Sequence, residues 1–371
     1  MTSNRPVLAV LSGDGVGPEV TAEACRVIDW FGANRGLEID VRNKMFGYPA
    51  YLEHGTLLPD DTLAEVKSAD AVLFGAIGGV EYGDLPPEVR RSGGLLRIRR
   101  ELDLYANLRP IKAIDAMADA SPLKPEVMQG TDLVIVRELS SGIYFGEPRG
   151  VEKLPDGSER GINTQSYTTE EIRRVARAAF ELARSRSGRL CSVDKSNVME
   201  SGALWRRVVA AVGADEFPDV ELSNMLADNC AMQLILAPRQ FDVLVTDNLF
   251  GDLLSDGAGA VLGSLGMLPS ASLGPADADG RRQALYEPVH GSAPDIAGQG
   301  IANPTAAILS VAMMLRLSLG RTDDAAMLEQ AVGNAITAGI RTADIVAPGA
   351  TPVGTTQMGD AVIAELKRLA E

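Results

Sequence analysis

VLAVLSGDGVGPEV, residues 7–20, carries an apolar run into a glycine-rich turn and then into a proline-led segment. Residues 7–11 are continuously apolar rather than alternating, the habit of a strand covered on both faces. Pro18 suits the first turn of a helix, where its missing N–H is no loss. Strand, turn and helix in that order are the repeating unit of an α/β protein. The turn also resembles a dinucleotide cradle, which needs glycine at its first, third and sixth positions for a tight turn and close backbone approach to a pyrophosphate. Gly13 and Gly15 meet that pattern, but Pro18 holds the sixth position, and no phosphate-loop lysine precedes a Ser or Thr. A plain strand-to-helix turn is the better local reading.

The same pattern recurs along the chain. Residues 71–74, 133–136, 190–193 and 243–246 are short Val/Leu-rich runs, and helical patterns lie between several of them. One such helix is announced by Thr168-Thr169-Glu170-Glu171, a capping-box spacing ahead of IRRVARAAFELARSR. At 371 residues the chain is too long for one ordinary core and is expected to form two lobes. Residues 142–167 break the alternation: they are rich in glycine and polar residues, and Pro155-Asp156-Gly157-Ser158 is a turn signal. This stretch reads as a protruding hairpin arm, for which a second copy of the chain is the simplest packing partner. Residues 275–283 read as a surface loop.

Composition narrows the function classes. A formal net charge of -15 disfavours nucleic acid and anionic membranes, whose binding depends on clustered Lys and Arg. Cys25, Cys191 and Cys230 are widely separated, so neither a disulfide framework nor a zinc spacing is present and a reducing cytoplasm fits. No apolar stretch approaches the roughly 20 residues of a membrane span, and the first residues, MTSNRP, lack a signal-peptide core.

Several segments can do chemistry. Arg137 leaves a buried-looking strand, and LLRIRRELDLYANLRP carries four arginines. Forked guanidinium groups grip carboxylates bidentately, so a di- or tricarboxylate substrate is expected; Arg91, Arg97 and Arg100 read more simply as a solvated helix face. Asp252 and Asp256 are four residues apart and share a helix face, where a divalent cation such as Mg²⁺ or Mn²⁺ would relieve their repulsion. Asp228 is a further carboxylate available from elsewhere. Lys195, following another strand, is a candidate base, and Tyr144 a candidate proton donor. EPVHGSAPDIAGQGIANP, residues 287–304, offers backbone N–H groups to phosphate and a carboxylate to ribose hydroxyls. A nucleophilic Ser292 beside His290 competes with that reading, but no nucleophile elbow surrounds the serine.

Taken in order, GDGVGPEV, DLYANLRP, RELSSGIYFGEPRG, VDKSNVME, DNCAMQL, FGDLLSD, GSLGMLPSASLG and EPVHGSAPDIAGQGIANPTAAILS span nearly the whole chain. This set resembles the β-decarboxylating dehydrogenases of the isocitrate/isopropylmalate family. The resemblance implies a two-lobed, non-Rossmann α/β fold. One lobe would be built from residues 1–104 and 263–371, and a second from residues 105–262 would carry the arm and the interface of a homodimer. It implies that the dinucleotide lies on His290, Gly291, Ser292, Ala293, Asp295 and Ile296, with Asn303 nearby, and that the first glycine turn only borders this cleft. Asp295 would bind the ribose hydroxyls and repel a 2′-phosphate, making the cofactor NAD. Arg99, Arg109 and Arg137 would clamp the malate carboxylates, while Asp252, Asp256 and Asp228 would hold Mg²⁺ or Mn²⁺. Asp228 and Lys195 would come from the partner subunit.

The implied reaction is NAD-dependent oxidative decarboxylation of 3-isopropylmalate, a step of leucine synthesis, with Lys195 as base and Tyr144 as proton donor. Leu95, Leu96 and Val198 fall where the family lines a pocket for the substituent, and an apolar wall suits a branched alkyl group. Another 3-substituted malate, namely tartrate, D-malate or a longer alkylmalate, is the alternative. Three positions depart from the family's usual pattern: Ser92 stands where a nicotinamide-contacting Glu is common, Gly257 replaces a common Glu, and Asp247 an often small residue.

Overall fold

The computed structural model describes residues 5–92, 94–259 and 262–371; the side chains of Pro87, Arg91 and Ser92 lie outside the described part, and with them the expectations for Arg91 and Ser92. The strands are β1 (Val7–Gly13), β2 (Asp40–Asn43), β3 (Ala71–Ala76), β4 (Ala106–Lys112), β5 (Asp132–Glu138), β6 (Gly150–Lys153), β7 (Glu159–Ile162), β8 (Arg189–Asp194), β9 (Glu221–Leu226), β10 (Val243–Thr246), β11 (Pro269–Ala276) and β12 (Arg282–Pro288). The helices are α1 (Gly17–Arg35), α2 (Tyr48–His54), α3 (Asp60–Ser68), α4 (Pro87–Ser92), α5 (Leu95–Glu101), α6 (Pro125–Met128), α7 (Thr169–Ser185), α8 (Glu200–Glu216), α9 (Ala227–Leu236), α10 (Asn248–Gly259), α11 (Thr305–Leu317), α12 (Thr322–Thr337) and α13 (Thr355–Ala370). The class is α/β, as the alternation of apolar runs and helical patterns requires.

Two compact units divide the chain. The first comprises residues 1–104, 113–129 and 259–371, the second residues 105–112 and 130–258. Residues 113–129, expected in the second lobe, therefore pack with the first: Arg341 donates to Asp119 at 2.7 Å and to the Ala116 carbonyl, and Gly263 lies against the Ala120 carbonyl. These contacts join residues more than 140 positions apart, which no local pattern announces.

In the first unit the strand order is β2-β1-β3-β12-β11. All neighbours are parallel except β11 and β12, which pair antiparallel. Every residue of β3 is buried, consistent with its unbroken apolar run. The stretch expected as a loop over residues 275–283 is shorter than read, because β11 runs to Ala276 and β12 starts at Arg282.

The second unit has the order β4-β5-β10-β8-β9, again parallel except for the pair β4 and β5. Helix α7 begins with the expected capping box: Thr168 accepts from the Glu171 N–H while Glu171 accepts from the Thr168 N–H. Such caps contribute about 1 kcal/mol. Its apolar face, from Ile172 through Ala183, is buried. Strands β6 and β7 form the expected hairpin, with Leu154 N–H donating to the Ser158 carbonyl across the turn. All four residues of β6 are exposed, so nothing among the described residues of its own chain covers them.

Candidate active site

In both units the residues singled out from sequence cluster where parallel strands end. Arg137 is the penultimate residue of β5, Lys195 follows β8, Asp228 opens the helix after β9, and α10 follows β10 by one residue. The carboxyl ends of parallel strands are where open α/β sheets bind ligands, because the following loops diverge there.

Helix α10 puts Asp252 and Asp256 on one face, as their spacing requires. They meet Arg109 and Arg137. Arg137 is 2 % exposed, and burying a guanidinium is costly unless its donors are satisfied. Its Nε and Nη2 donate to Asn248 Oδ1 at 3.0 and 2.8 Å, and its Nη1 donates to Asp252 Oδ1. Arg109, 6 % exposed, donates through Nε to Asn107 at 2.8 Å, through Nη1 to Ser255 Oγ at 2.6 Å and Asp256 Oδ1 at 3.1 Å, and through Nη2 to Asp252 Oδ1 at 3.3 Å. Gly251 makes the approach possible: a Cβ there would sit 2.5 Å from Arg137 Cγ. Tyr144 donates its hydroxyl to Asp252 Oδ2 at 2.8 Å, and partial burial together with that bond pushes its pKa up, keeping the phenol protonated. Burial also raises the Asp256 carboxyl, with the Asp252 charge adding to the effect.

Asn107, Asn248 and Ser255 were not anticipated. Asn248 and Ser255 lie on the same face of α10 as the two aspartates, at spacings of four and three from Asp252. That periodicity was the available signal.

Lys195 and Asp228 pair with each other at 2.8 Å, and the lysine's hydrogen bond holds the exposed Asp228 below the usual carboxylate range. Asp228 thus does not join Asp252 and Asp256. Among the described residues no group of three His, Cys, Asp or Glu side chains forms that could hold a metal. The donor set fits a divalent cation all the same: two carboxylates one turn apart supply the oxygens that hard cations take.

In the first unit, Arg99 is 8 % exposed and donates to Glu287 at 2.9 Å. Arg97 meets Asp60 and Glu101 at the limit of ion pairing, as a solvated helix face should. Leu96 is exposed and Leu95 half-buried; in the second unit Val198 is exposed.

The glycine turn of residues 13–17 directs three of its amides to protein carbonyls. Asp14 N–H donates to Ala76, Val16 N–H to Ser292 at 2.8 Å, and Gly17 N–H to Asp14. Gly15, at φ +57°, packs so closely that a Cβ would lie 2.0 Å from the Ser292 carbonyl oxygen. The turn therefore braces the loop containing His290, Gly291, Ser292, Ala293, Asp295 and Ile296. Glu19 adds to the brace by accepting from the Gly298 and Gly300 amides, and Asn303 is fixed by donating to Asp344 at 3.0 Å. Asp295 is exposed, its carbonyl accepting from Gln299. His290 Nε2 is buried without a hydrogen-bond partner among the described residues, and burial lowers the ring's pKa. An orphaned buried ring nitrogen on this loop fits a polar ligand such as a dinucleotide.

The isocitrate/isopropylmalate dehydrogenase family model matches residues 7–362. The chain is 60 % identical over 363 residues to 3-isopropylmalate dehydrogenase of Cereibacter sphaeroides, covering 98 % of each chain. It is 58 % identical over 367 residues to 3-isopropylmalate dehydrogenase 1 of Bradyrhizobium diazoefficiens, covering 99 % of this chain and 97 % of that one. Among solved structures, isocitrate dehydrogenase from Methylococcus capsulatus superposes with a TM-score of 0.83 at 33 % identity, over 98 % of this chain and 99 % of the other. With the arginine–aspartate cluster and the colinear motifs in place, the chain belongs to the isocitrate/isopropylmalate dehydrogenase family.

Proposed function

We propose that this protein oxidises and decarboxylates 3-isopropylmalate to 4-methyl-2-oxopentanoate, the oxidative decarboxylation step of leucine synthesis, with NAD as acceptor and Mg²⁺ or Mn²⁺ as metal, as a cytoplasmic homodimer. The observation that carries this reading is the convergence of Arg109, Arg137, Tyr144, Asp252 and Asp256 at one strand end, supported by full-length relatives named for that activity.

Arg109 and Arg137 hold the malate carboxylates, exchanging part of their present pairing with the aspartates for the substrate; Arg99 does the same on release from Glu287. Asp252 and Asp256 hold the cation together with the partner subunit's Asp228. The partner subunit's Lys195 accepts the C2 hydroxyl proton. When bound, NAD supplies the hydride acceptor and the divalent ion offsets negative charge on the substrate oxygen during oxidation and CO₂ loss. Tyr144 then delivers its proton to the carbon that CO₂ has left, and its raised pKa means that proton is present at neutral pH. Asp295 holds the ribose hydroxyls and disfavours a 2′-phosphate. Leu95 and Leu96 in the first unit, and Val198 in the second, each offer the isopropyl group an apolar side chain.

Initial rates of NADH formation should be highest with 3-isopropylmalate among a panel that includes tartrate, D-malate and longer alkylmalates, and should vanish on chelation. Preference for a hydroxylated or unbranched malate would overturn the substrate assignment, and full activity after exhaustive chelation would overturn the metal.

A further inference from the structure

The residue just before α10 does two jobs at once. Asp247, 8 % exposed, accepts from the Phe250 N–H through Oδ1 at 2.8 Å, capping the helix, while its carbonyl accepts from the Gly251 N–H at 2.9 Å. Its other oxygen, Oδ2, accepts from Gln165 Nε2 at 2.9 Å. Gln165 lies on the return limb of the arm. Two residues on, the Tyr167 hydroxyl accepts from the Asn248 N–H at 2.9 Å. The outgoing limb is tied to the same place, since Asn248 Nδ2 donates to the Ser141 carbonyl at 2.9 Å. Gly142 closes the root: its N–H donates to Ser166, and a Cβ there would lie 2.4 Å from the Tyr167 hydroxyl. Both limbs thus clasp residues 247 and 248, and Asn248 in turn holds two donors of Arg137. Beyond this clasp the arm is exposed, with Val151 at 71 %.

We propose that the Gln165–Asp247 link is a positioning device that passes the order of the arm to the start of α10, and so to the placement of Arg137 and Asp252. The proposal rests on the functional reading above, in which those residues bind malate and metal and a second subunit covers the arm. Asp247 and Gln165 are positioning residues, touching neither.

The test uses the intact protein with Mn²⁺ alone as probe, followed by kinetics. Gln165→Leu keeps volume and removes the donor; it should weaken Mn²⁺ binding about tenfold and raise KM for the malate in step, while KM for NAD stays within twofold and light scattering still reports a dimer. Asp247→Ala should do the same or more. Asp247→Asn should recover most of the Mn²⁺ affinity lost in Asp247→Ala, because Asn retains the cap and its amide can donate to Gln165 Oε1, which is buried without a partner among the described residues. Hydrogen exchange needs no metal: in Gln165→Leu the Phe250 and Gly251 amides should exchange several-fold faster than in the unmodified protein. Unchanged Mn²⁺ affinity and exchange in Gln165→Leu, or an Asp247→Asn variant as impaired as Asp247→Ala, would overturn the link. Failure of the unmodified protein to bind Mn²⁺ or oxidise the malate would instead strike the functional reading, leaving the exchange comparison to judge the link.

Discussion

The loop of residues 290–300 in the first unit and the acid–arginine cluster of the second are built from different materials. Around Ser292 and Gly298 the chain is held by backbone amides: Val16 donates to Ser292, and the Gly298 and Gly300 amides are captured by one carboxylate, Glu19. Around Asp252 the holding groups are ionised side chains, two guanidinium groups against two carboxylates. Backbone hydrogen bonds fix a shape that a ligand can enter without disturbing its supports. The ion pairs keep charge neutral beside two buried arginines, so on the proposed function binding of a charged substrate and cation there would be an exchange of partners. On the proposed function, one region serves affinity and the other chemistry.

If that division is right, substitutions should separate turnover from cofactor binding. The largest expected effect is Lys195→Met: turnover should fall by about 10²–10⁴, the range of a lost general base, while NADH affinity measured by fluorescence titration stays near that of the unmodified protein. Comparable losses in both would break the comparison, and unchanged turnover would remove Lys195 from its role. Next comes Glu19→Ala, which deletes two charge-assisted hydrogen bonds to the loop. Each is worth about 1.5–3 kcal/mol to the local structure, part of which is recovered by solvent, so KM for NAD should rise about tenfold with kcat nearly constant; a fall in kcat with NAD affinity intact would reverse the assignment of the two regions.

The smallest effect concerns pH. Burial pushes Asp247 up to about 6, with its hydrogen bonds from Phe250 and Gln165 and the nearby Arg137 acting the other way. A carboxyl whose pKa is higher folded than unfolded adds stability below its unfolded value, near 4, and that contribution is lost as pH rises through about 6. Asp247→Asn does not titrate, so relative to the unmodified protein it should gain stability between pH 4 and 7, on the order of 1–3 kcal/mol. Denaturant melts at several pH values would measure it; a flat difference would mean the carboxyl is not buried in solution.

Local patterns carried much of this architecture. The unbroken apolar runs gave strands covered on both faces, the Thr168–Glu171 spacing gave the start of α7, and Pro155-Asp156-Gly157-Ser158 gave the hairpin turn. Asp252 and Asp256 were legible because helix periodicity is itself local. What escaped reading is non-local. Nothing near residue 119 announces Arg341, and nothing near Arg99 announces Glu287 as its counter-ion. The Gln165–Asp247 link spans 82 positions, and the antiparallel direction of β4 and β11 follows from chain paths rather than from their sequences. Asn248 and Ser255 are the instructive omissions: an uncharged side chain on a charged face attracts no notice until it is seen satisfying an arginine.

The crowding of the first glycine turn reaches beyond this chain. With Gly17 and Gly75 each so near the Ser12 carbonyl oxygen that a methyl group would stand 2.1 and 2.3 Å from it, these glycines are obligatory for steric reasons alone. A motif can thus imitate a nucleotide fingerprint while its donors are already taken by peptide oxygens. Tracing where such donors point tells a genuine cradle from a scaffold seam that merely shares its spelling.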